Sequence, residues 1–315
     1  MRTIDFHAHP VTDAFRQAMT DLNIDVLADD GFPLPKWSAE DHLAFMDQAG
    51  IDFTVLSAPT PHIYNGDPVK AAQAVRAVNE ETAQIVKQHP DRFAFAAALP
   101  LPAVQESIAE AEYALSELGA AGIKVPTNAF GMYLGDPSLD PVMEVLNRHR
   151  ALVIIHPCRA KERPANVITG TVAAIFEYPT DTTRAVINMI AHRIMTRFPE
   201  IRWVVPHCGS FLPYMLQRFT GVSGILAGLG MMETVDAKEE FSRLYFDIAG
   251  DPEPVGLNML RMVAAEDHIV FGSDFPHSPA PVILKKKQHF DANPEYDGIR
   301  ERIYSANGET LLKGE

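Results

Sequence analysis

Eight short apolar runs, each followed by a stretch with helical spacing, organise this chain. The runs cover residues 2–9, 53–57, 93–99, 122–126, 152–156, 201–207, 244–249 and 269–274. Helical spacing follows over residues 38–50, 68–88, 104–118, 140–150, 180–198, 212–220, 254–264, 282–290 and 300–313. Runs such as Leu152-Val153-Ile154-Ile155 are apolar at every position, so both faces must be covered. Parallel sheets flanked by helices have this character. Eight such units in 315 residues predict an α/β fold, a (β/α)8 TIM barrel, formed as a single domain over residues 1–315. A doubly wound open sheet is the alternative. Its dinucleotide-binding version is weakened because no Gly-rich loop follows the first run. Residues 11–37 and 159–178 read as loops, and residues 221–243 as a Gly- and Met-containing insertion that serves as a lid or an interface.

Polar residues that end these strands carry the chemistry. His7 and His9 stand two apart near the end of the first run, and side chains at i and i+2 of a strand share a side. Asp5 reads as structural, expected to face away from the pair by strand alternation. His156 ends the fifth run, His207 the sixth and Asp274 the eighth. In a barrel the C-terminal strand ends converge on one face, where active sites lie. Three imidazoles and one carboxylate, from His7, His9, His156 and Asp274, suit a borderline divalent cation, most simply Zn²⁺ with Mn²⁺ as the alternative. His207 reads as an unligated acid/base beside that cation, with a fifth ligand as the other reading. Phe211, Tyr214, Phe275 and Trp37 are the aromatic residues expected near the mouth, where they would suit a flat, mostly apolar ring. His277 follows Asp274 closely enough to line the same pocket.

Several motifs carry a resemblance. The order His-X-His, His, His, Asp on strands one, five, six and eight resembles the amidohydrolase superfamily. Asp5-Phe6-His7-Ala8-His9, Val205-Pro206-His207-Cys208-Gly209-Ser210 and Phe271-Gly272-Ser273-Asp274-Phe275-Pro276 resemble its aminocarboxymuconate-semialdehyde decarboxylase-like subfamily. Glu177-Tyr178-Pro179-Thr180-Asp181-Thr182-Thr183-Arg184 is similar to the branch related to 6-methylsalicylate decarboxylases. The resemblance implies a mononuclear metal on His7, His9, His156 and Asp274, proton transfer by His207 and Asp274, and no organic cofactor. It implies non-oxidative decarboxylation of a hydroxybenzoate-type acid, with hydrolysis or hydration by the same machinery as the alternative. It also implies a homodimer, because Arg218 matches a position where relatives contribute an arginine across the dimer interface. Lys124 ends strand four, where binuclear relatives place a bridging lysine; here it reads as a loop-facing residue. Lys36 and Trp37 stand in the loop where relatives acting on the muconate semialdehyde carry an arginine, which points away from that substrate. Arg159, just after His156, is the cation on that loop expected to meet a substrate carboxylate.

A formal charge of −14 argues against nucleic acid or an anionic membrane as the main partner. The expected partner is a small aromatic or unsaturated carboxylic acid. Two cysteines, Cys158 and Cys208, make no disulfide framework, and no leader or membrane-spanning run is visible. A cytoplasmic setting is therefore expected.

Overall fold

The computed structural model describes residues 2–162 and 172–314. Eight parallel strands pair in sequence order: β1 Ile4–Ala8, β2 Phe53–Ser57, β3 Phe93–Ala98, β4 Gly122–Pro126, β5 Leu152–His156, β6 Arg202–Val205, β7 Leu244–Asp247 and β8 Ile269–Val270. The stretch after β8 returns to β1. Phe6 N–H donates to the Phe271 carbonyl at 3.0 Å, Asp274 N–H to His7 at 2.7 Å, and His9 N–H to Phe275 at 2.8 Å. The first and last strands thus meet, and the sheet closes into the expected (β/α)8 barrel.

Paired residues on parallel strands point to the same side, so the register separates the two cores. Ile4, Phe6, Val55, Leu152, Ile154, Val204 and Val270 form a cluster inside the barrel, joined by Leu311. Phe95, Ile123, Val153, Ile155, Trp203 and Phe246 belong to the larger cluster under the helices, with Phe45, Met46, Val142 and Met189. Each large apolar side chain buried in this way contributes about 1.5–3 kcal/mol. Alternation carries the inward face of β5 from Leu152 through Ile154 to His156. It also puts Lys124, which pairs with Ile154, inside the barrel.

On β1 the alternation is broken. Asp5 pairs with Thr54 and Ala8 with Leu56, so β1 carries one extra residue there. Regular alternation would put Asp5, His7 and His9 on one side. Ile4 and Phe6 face the interior, which turns Asp5 outward, and the bulge then returns His7 to the interior. Asp5 faces away from the pair because of this bulge, and its Oδ1 accepts the His7 N–H at 2.9 Å.

Local signals explain most helices. Ser38 caps the helix Ala39–Ala49 by accepting from Asp41 N–H, and Gly50 ends it in the left-handed conformation. Asp67 caps Pro68–Gln88, with proline in its first turn. Three expectations need correction. Residues 11–37 are not a plain loop: Thr12 caps the helix α1, Asp13–Asp21, which buries Phe15, Ala18 and Met19. Residues 180–198 are not one helix: Glu177–Ala191 stops before Arg193, which sits at φ +56°, and Ile194–Arg197 follows. Residues 221–243 are not a loop insertion: the helix from Leu212 runs on to Gly228, and a further helix spans Ala237–Ser242. Part of the 159–178 loop lies outside the described residues.

Candidate metal centre

His7, His9, His156 and Asp274 converge at the C-terminal ends of the strands, with one donor atom from each within 4.8 Å of the others. A backbone or carboxylate oxygen orients each imidazole through Nδ1. His7 Nδ1 lies 2.8 Å from Asp247 Oδ2, His9 Nδ1 3.0 Å from the Ser57 carbonyl, and His156 Nδ1 3.0 Å from the Pro157 carbonyl. Carbonyls only accept, so on His9 and His156 the proton sits on Nδ1 and Nε2 keeps its lone pair. The Nε2 atoms of His7 and His9 are buried and meet no hydrogen-bond partner. Asp274 Oδ1 stands 3.5 Å from His7 Nε2 and 3.4 Å from His9 Nε2. Tetrahedral ligands about 2.1 Å from one ion are separated by about 3.4 Å. The donor set and its spacing therefore fit a divalent cation.

The electrostatics agree with a site built for positive charge. Burial works against a charge on His7, but Asp247, with Asp274 and Asp5, outweighs it and raises the imidazole to about 9. Burial also works against the Asp274 carboxylate, yet His9 and His7 beside it hold it well below the usual carboxylate range. Burial lowers His9, and it lowers His156 further with His9 and Lys124 close by.

Asp247 ends β7 and binds two parts of the site. Its Oδ2 meets His7, and its Oδ1 accepts the backbone N–H of His207 at 2.9 Å. Sequence reasoning passed over this residue. The signal was present: an acid ending the apolar run Leu244-Tyr245-Phe246, as Asp274 ends its own.

His207 lies beside the cluster, its ring centroid 4.9 Å from that of His7. Burial, then His7, lowers its pKa, and its Nδ1 has no hydrogen-bond partner. His207 and Asp274 both hold left-handed backbone, φ +56° and +63°, an uncommon conformation for residues with side chains. Both line a cavity of about 470 Å³, with Phe32, Ile175, Tyr178, His277 and Lys286 among its other walls. Burial, then His9, lowers His277 to about 4, and neither of its ring nitrogens has a partner.

A buried network steadies the wall. Asp181 is fully buried and accepts from Thr127 Oγ1, from Asn128 Nδ2 at 2.8 Å, from Tyr133 OH at 2.5 Å and from Arg184 Nη1 at 2.9 Å. Thr127 in turn donates its N–H to the His156 carbonyl at 3.0 Å and accepts from Cys158 N–H at 2.9 Å. The helix bearing Tyr178 is thereby tied to the strand end bearing His156.

Within one chain, other expected residues stand away from this cavity. Phe275 does not face the cavity: it stacks on Phe45 at 4.2 Å under the helices, because the chain reverses after Asp274. Arg159 lines a second cavity of about 390 Å³ with His62 and Lys161, and its guanidinium donates to the Ala28 carbonyl. Arg218 is exposed on the helix Leu212–Gly228. Phe211 and Tyr214 are exposed, and Trp37 donates to His42 Nδ1 at 2.9 Å. Lys124 is 2% exposed inside the barrel and does not face a loop.

The profile of the amidohydrolase family matches residues 4–314. The 6-methylsalicylic acid decarboxylase of Penicillium expansum is 33% identical over 301 residues, covering 93% of this chain and 90% of that one. A solved amidohydrolase II superposes with a TM-score of 0.92 at 28% identity, covering 99% of each chain. The 5-carboxyvanillate decarboxylase of Novosphingobium aromaticivorans, solved with manganese and a nitrobenzoic acid, superposes with a TM-score of 0.86 at 21% identity, covering 99% of this chain and 96% of that one.

Proposed function

This chain belongs to the amidohydrolase family, and from that footing we propose that it is a metal-dependent, non-oxidative decarboxylase of a hydroxybenzoate-type, 6-methylsalicylate-like acid. The observation that carries the reading is the donor set of His7, His9, His156 and Asp274, placed against a cavity that His207 also lines. Those four residues would hold Zn²⁺ or Mn²⁺. The similarity to a 6-methylsalicylic acid decarboxylase over nearly the whole chain supports the substrate class, and the manganese in a structural neighbour supports the metal site.

When bound, the cation supplies Lewis-acid character that draws charge from an oxygen of the acid. The rest falls to the chain's own residues. A proton is added to the ring carbon that bears the carboxylate. The carbon–carbon bond then breaks, CO₂ leaves, and the released electron pair restores the aromatic ring. We assign the proton transfer to Asp274 and His207. The proton comes from solvent, and His207 suits taking it up as a base and handing it on, because burial lowers its pKa and its Nδ1 is uncommitted. Asp247 holds the His207 backbone in place for this step. Phe32, Ile175 and Tyr178 offer an apolar and aromatic wall suited to a flat ring.

A homodimer is part of the proposal. Tyr214, Ile225, Leu229 and Met231 are each at least 65% exposed on or just after one long helix, an apolar stripe that a second copy would cover. No described helix is long and apolar enough to cross a membrane, and the cytoplasm is the proposed setting.

The test is to load the protein with Zn²⁺ or Mn²⁺ and measure CO₂ release from a panel of 2-hydroxybenzoates, with lactones in parallel. Release from 6-methylsalicylate or a close analogue is expected. Lactone turnover with no CO₂ from any acid would sink the proposal.

A further inference from the structure

An aromatic acid carries its negative charge into a cavity that already holds Asp251 and Asp274. The bound metal would draw charge from one oxygen of the acid, and within one chain neither Arg159 nor Arg218 lines this cavity to meet the rest. Among the described residues that do, Lys286 is the only lysine or arginine. We propose that Lys286 is the specificity-determining residue that binds the carboxylate of the incoming acid. The inference rests on the decarboxylase reading and names the residue that recognises the substrate's charge.

The placement of Lys286 is built from two directions. It stands on the helix Ala280–Ala292, which begins six residues after Asp274. Its ammonium donates to the Gly250 carbonyl at 3.1 Å and meets Asp251 Oδ1 at 2.8 Å. Gly250 and Asp251 follow β7 directly, three and four residues after Asp247. Gly250 lies against the imidazole of His207: a Cβ at this glycine would sit 3.8 Å from His207 Cδ2. The end of β7 and the turn after it therefore orient His7, hold the backbone of His207 and tether the ammonium of Lys286.

The ion pair with Asp251 suits an exchangeable counter-charge. The Asp251 side chain is 82% exposed and that of Lys286 35%. Exposed pairs of this kind contribute little, so an incoming carboxylate can displace Asp251 at small cost. Once the ring of the acid fills the cavity and displaces water, a charge-assisted hydrogen bond to the acid is the stronger contact. The Gly250 carbonyl keeps the ammonium oriented during the exchange. Charge leaves the carboxylate as CO₂ forms, so this contact belongs to the bound substrate more than to the transition state. Its loss should fall mainly on KM.

Two substitutions with opposite expected signs test the proposal. Lys286→Met should raise KM for the acid roughly tenfold or more, the scale of a charge-assisted hydrogen bond, while kcat changes by much less. Asp251→Asn removes the competing carboxylate and should lower KM. Lys286→Arg should restore most of the lost affinity. The phenolic product has no carboxylate, so its inhibition constant should be the same in all variants, and bound metal should match the wild type. If KM in Lys286→Met stays at the wild-type value, or the product's inhibition constant rises as much as KM, the assignment is wrong. If the metal-loaded wild type releases no CO₂ from any acid, the decarboxylase reading fails by itself. Calorimetric binding of benzoate to wild type and Lys286→Met still decides the role of Lys286: equal affinity overturns it, and weaker binding by the variant supports it.

Discussion

Gly272 gives His7 its room. A Cβ at Gly272 would stand 2.8 Å from the Cβ of His7 and 3.2 Å from that of Asp247. The first contact is closer than side chains tolerate and the second is tighter than most, and neither neighbour is the free end of a flexible chain. The last strand therefore passes the first as bare backbone, and this close approach lets a ligand and its orienting carboxylate stand side by side.

Gly272→Ala should accordingly push His7 out of line while leaving the barrel folded. Metal affinity, measured by competition with a chelator, should fall about tenfold or more, the scale on which disturbed support of a ligand is felt. Circular dichroism should stay that of the wild type. Wild-type affinity in this variant would mean that the strand shifts freely.

Asp247→Asn should weaken metal binding by about 10–100-fold, since the amide no longer supports His7 as a carboxylate does. The amide oxygen can still accept from the His207 backbone, so turnover per bound metal should fall less than affinity. Metal content by atomic absorption, beside kcat at saturating metal, separates the two.

His207→Ala should retain its metal and lose turnover by about 10²–10⁴-fold, the usual worth of a positioned acid/base. His7→Ala should lose the metal. Equal metal loss in both variants would make His207 a ligand.

Asp181→Ala strands the hydroxyls of Thr127 and Tyr133 and the Asn128 amide in a buried place. A loss of about 3 kcal/mol or more in urea denaturation is expected, because one buried partner of several donors is removed. Weaker metal binding should accompany it, since Thr127 also holds the His156 carbonyl.

Acid should destabilise the chain through His42 and His62, which burial lowers from 6.5 to about 3. Above pH 6.5 both are neutral whether folded or unfolded. As pH falls below that value only the unfolded chain gains protons, so stability drops until about pH 3. The loss at pH 5 is roughly 2 kcal/mol for each histidine. Urea midpoints at pH 7 and pH 5 measure it, and His62→Leu should flatten the difference.

Much of the fold was legible because apolar runs and helix caps are local signals. Ser38 and Gly50 bounded one helix, and Asp67 with Pro68 started another. The candidate donor set was legible because strand parity and residue type point the same way at His156. At His7 the alignment rests on a bulge, which a spacing rule cannot see. Asp247 was missed although it ends its strand as Asp274 does. Phe275 and Arg159 lie just past strand ends, where the chain's direction depends on backbone turns such as the positive φ of Asp274. Gly221, Gly224 and Gly228 suggested a loop, yet glycine costs a helix only about 1 kcal/mol and does not forbid it. Leu216 and Ser223, buried on the same helix, carry it through.

The meeting of the first and last strands has a consequence for how the protein is made. His7 and His9 leave the ribosome well before Asp274, which lies on the far side of seven further strands, so a nascent chain cannot complete the donor set until the eighth strand has followed. Metal capture is then a report that the ring has closed. A cation that binds only the closed form raises the stability of finished molecules alone, in proportion to the logarithm of its free concentration. Cellular metal supply would thereby sort completed barrels from interrupted ones.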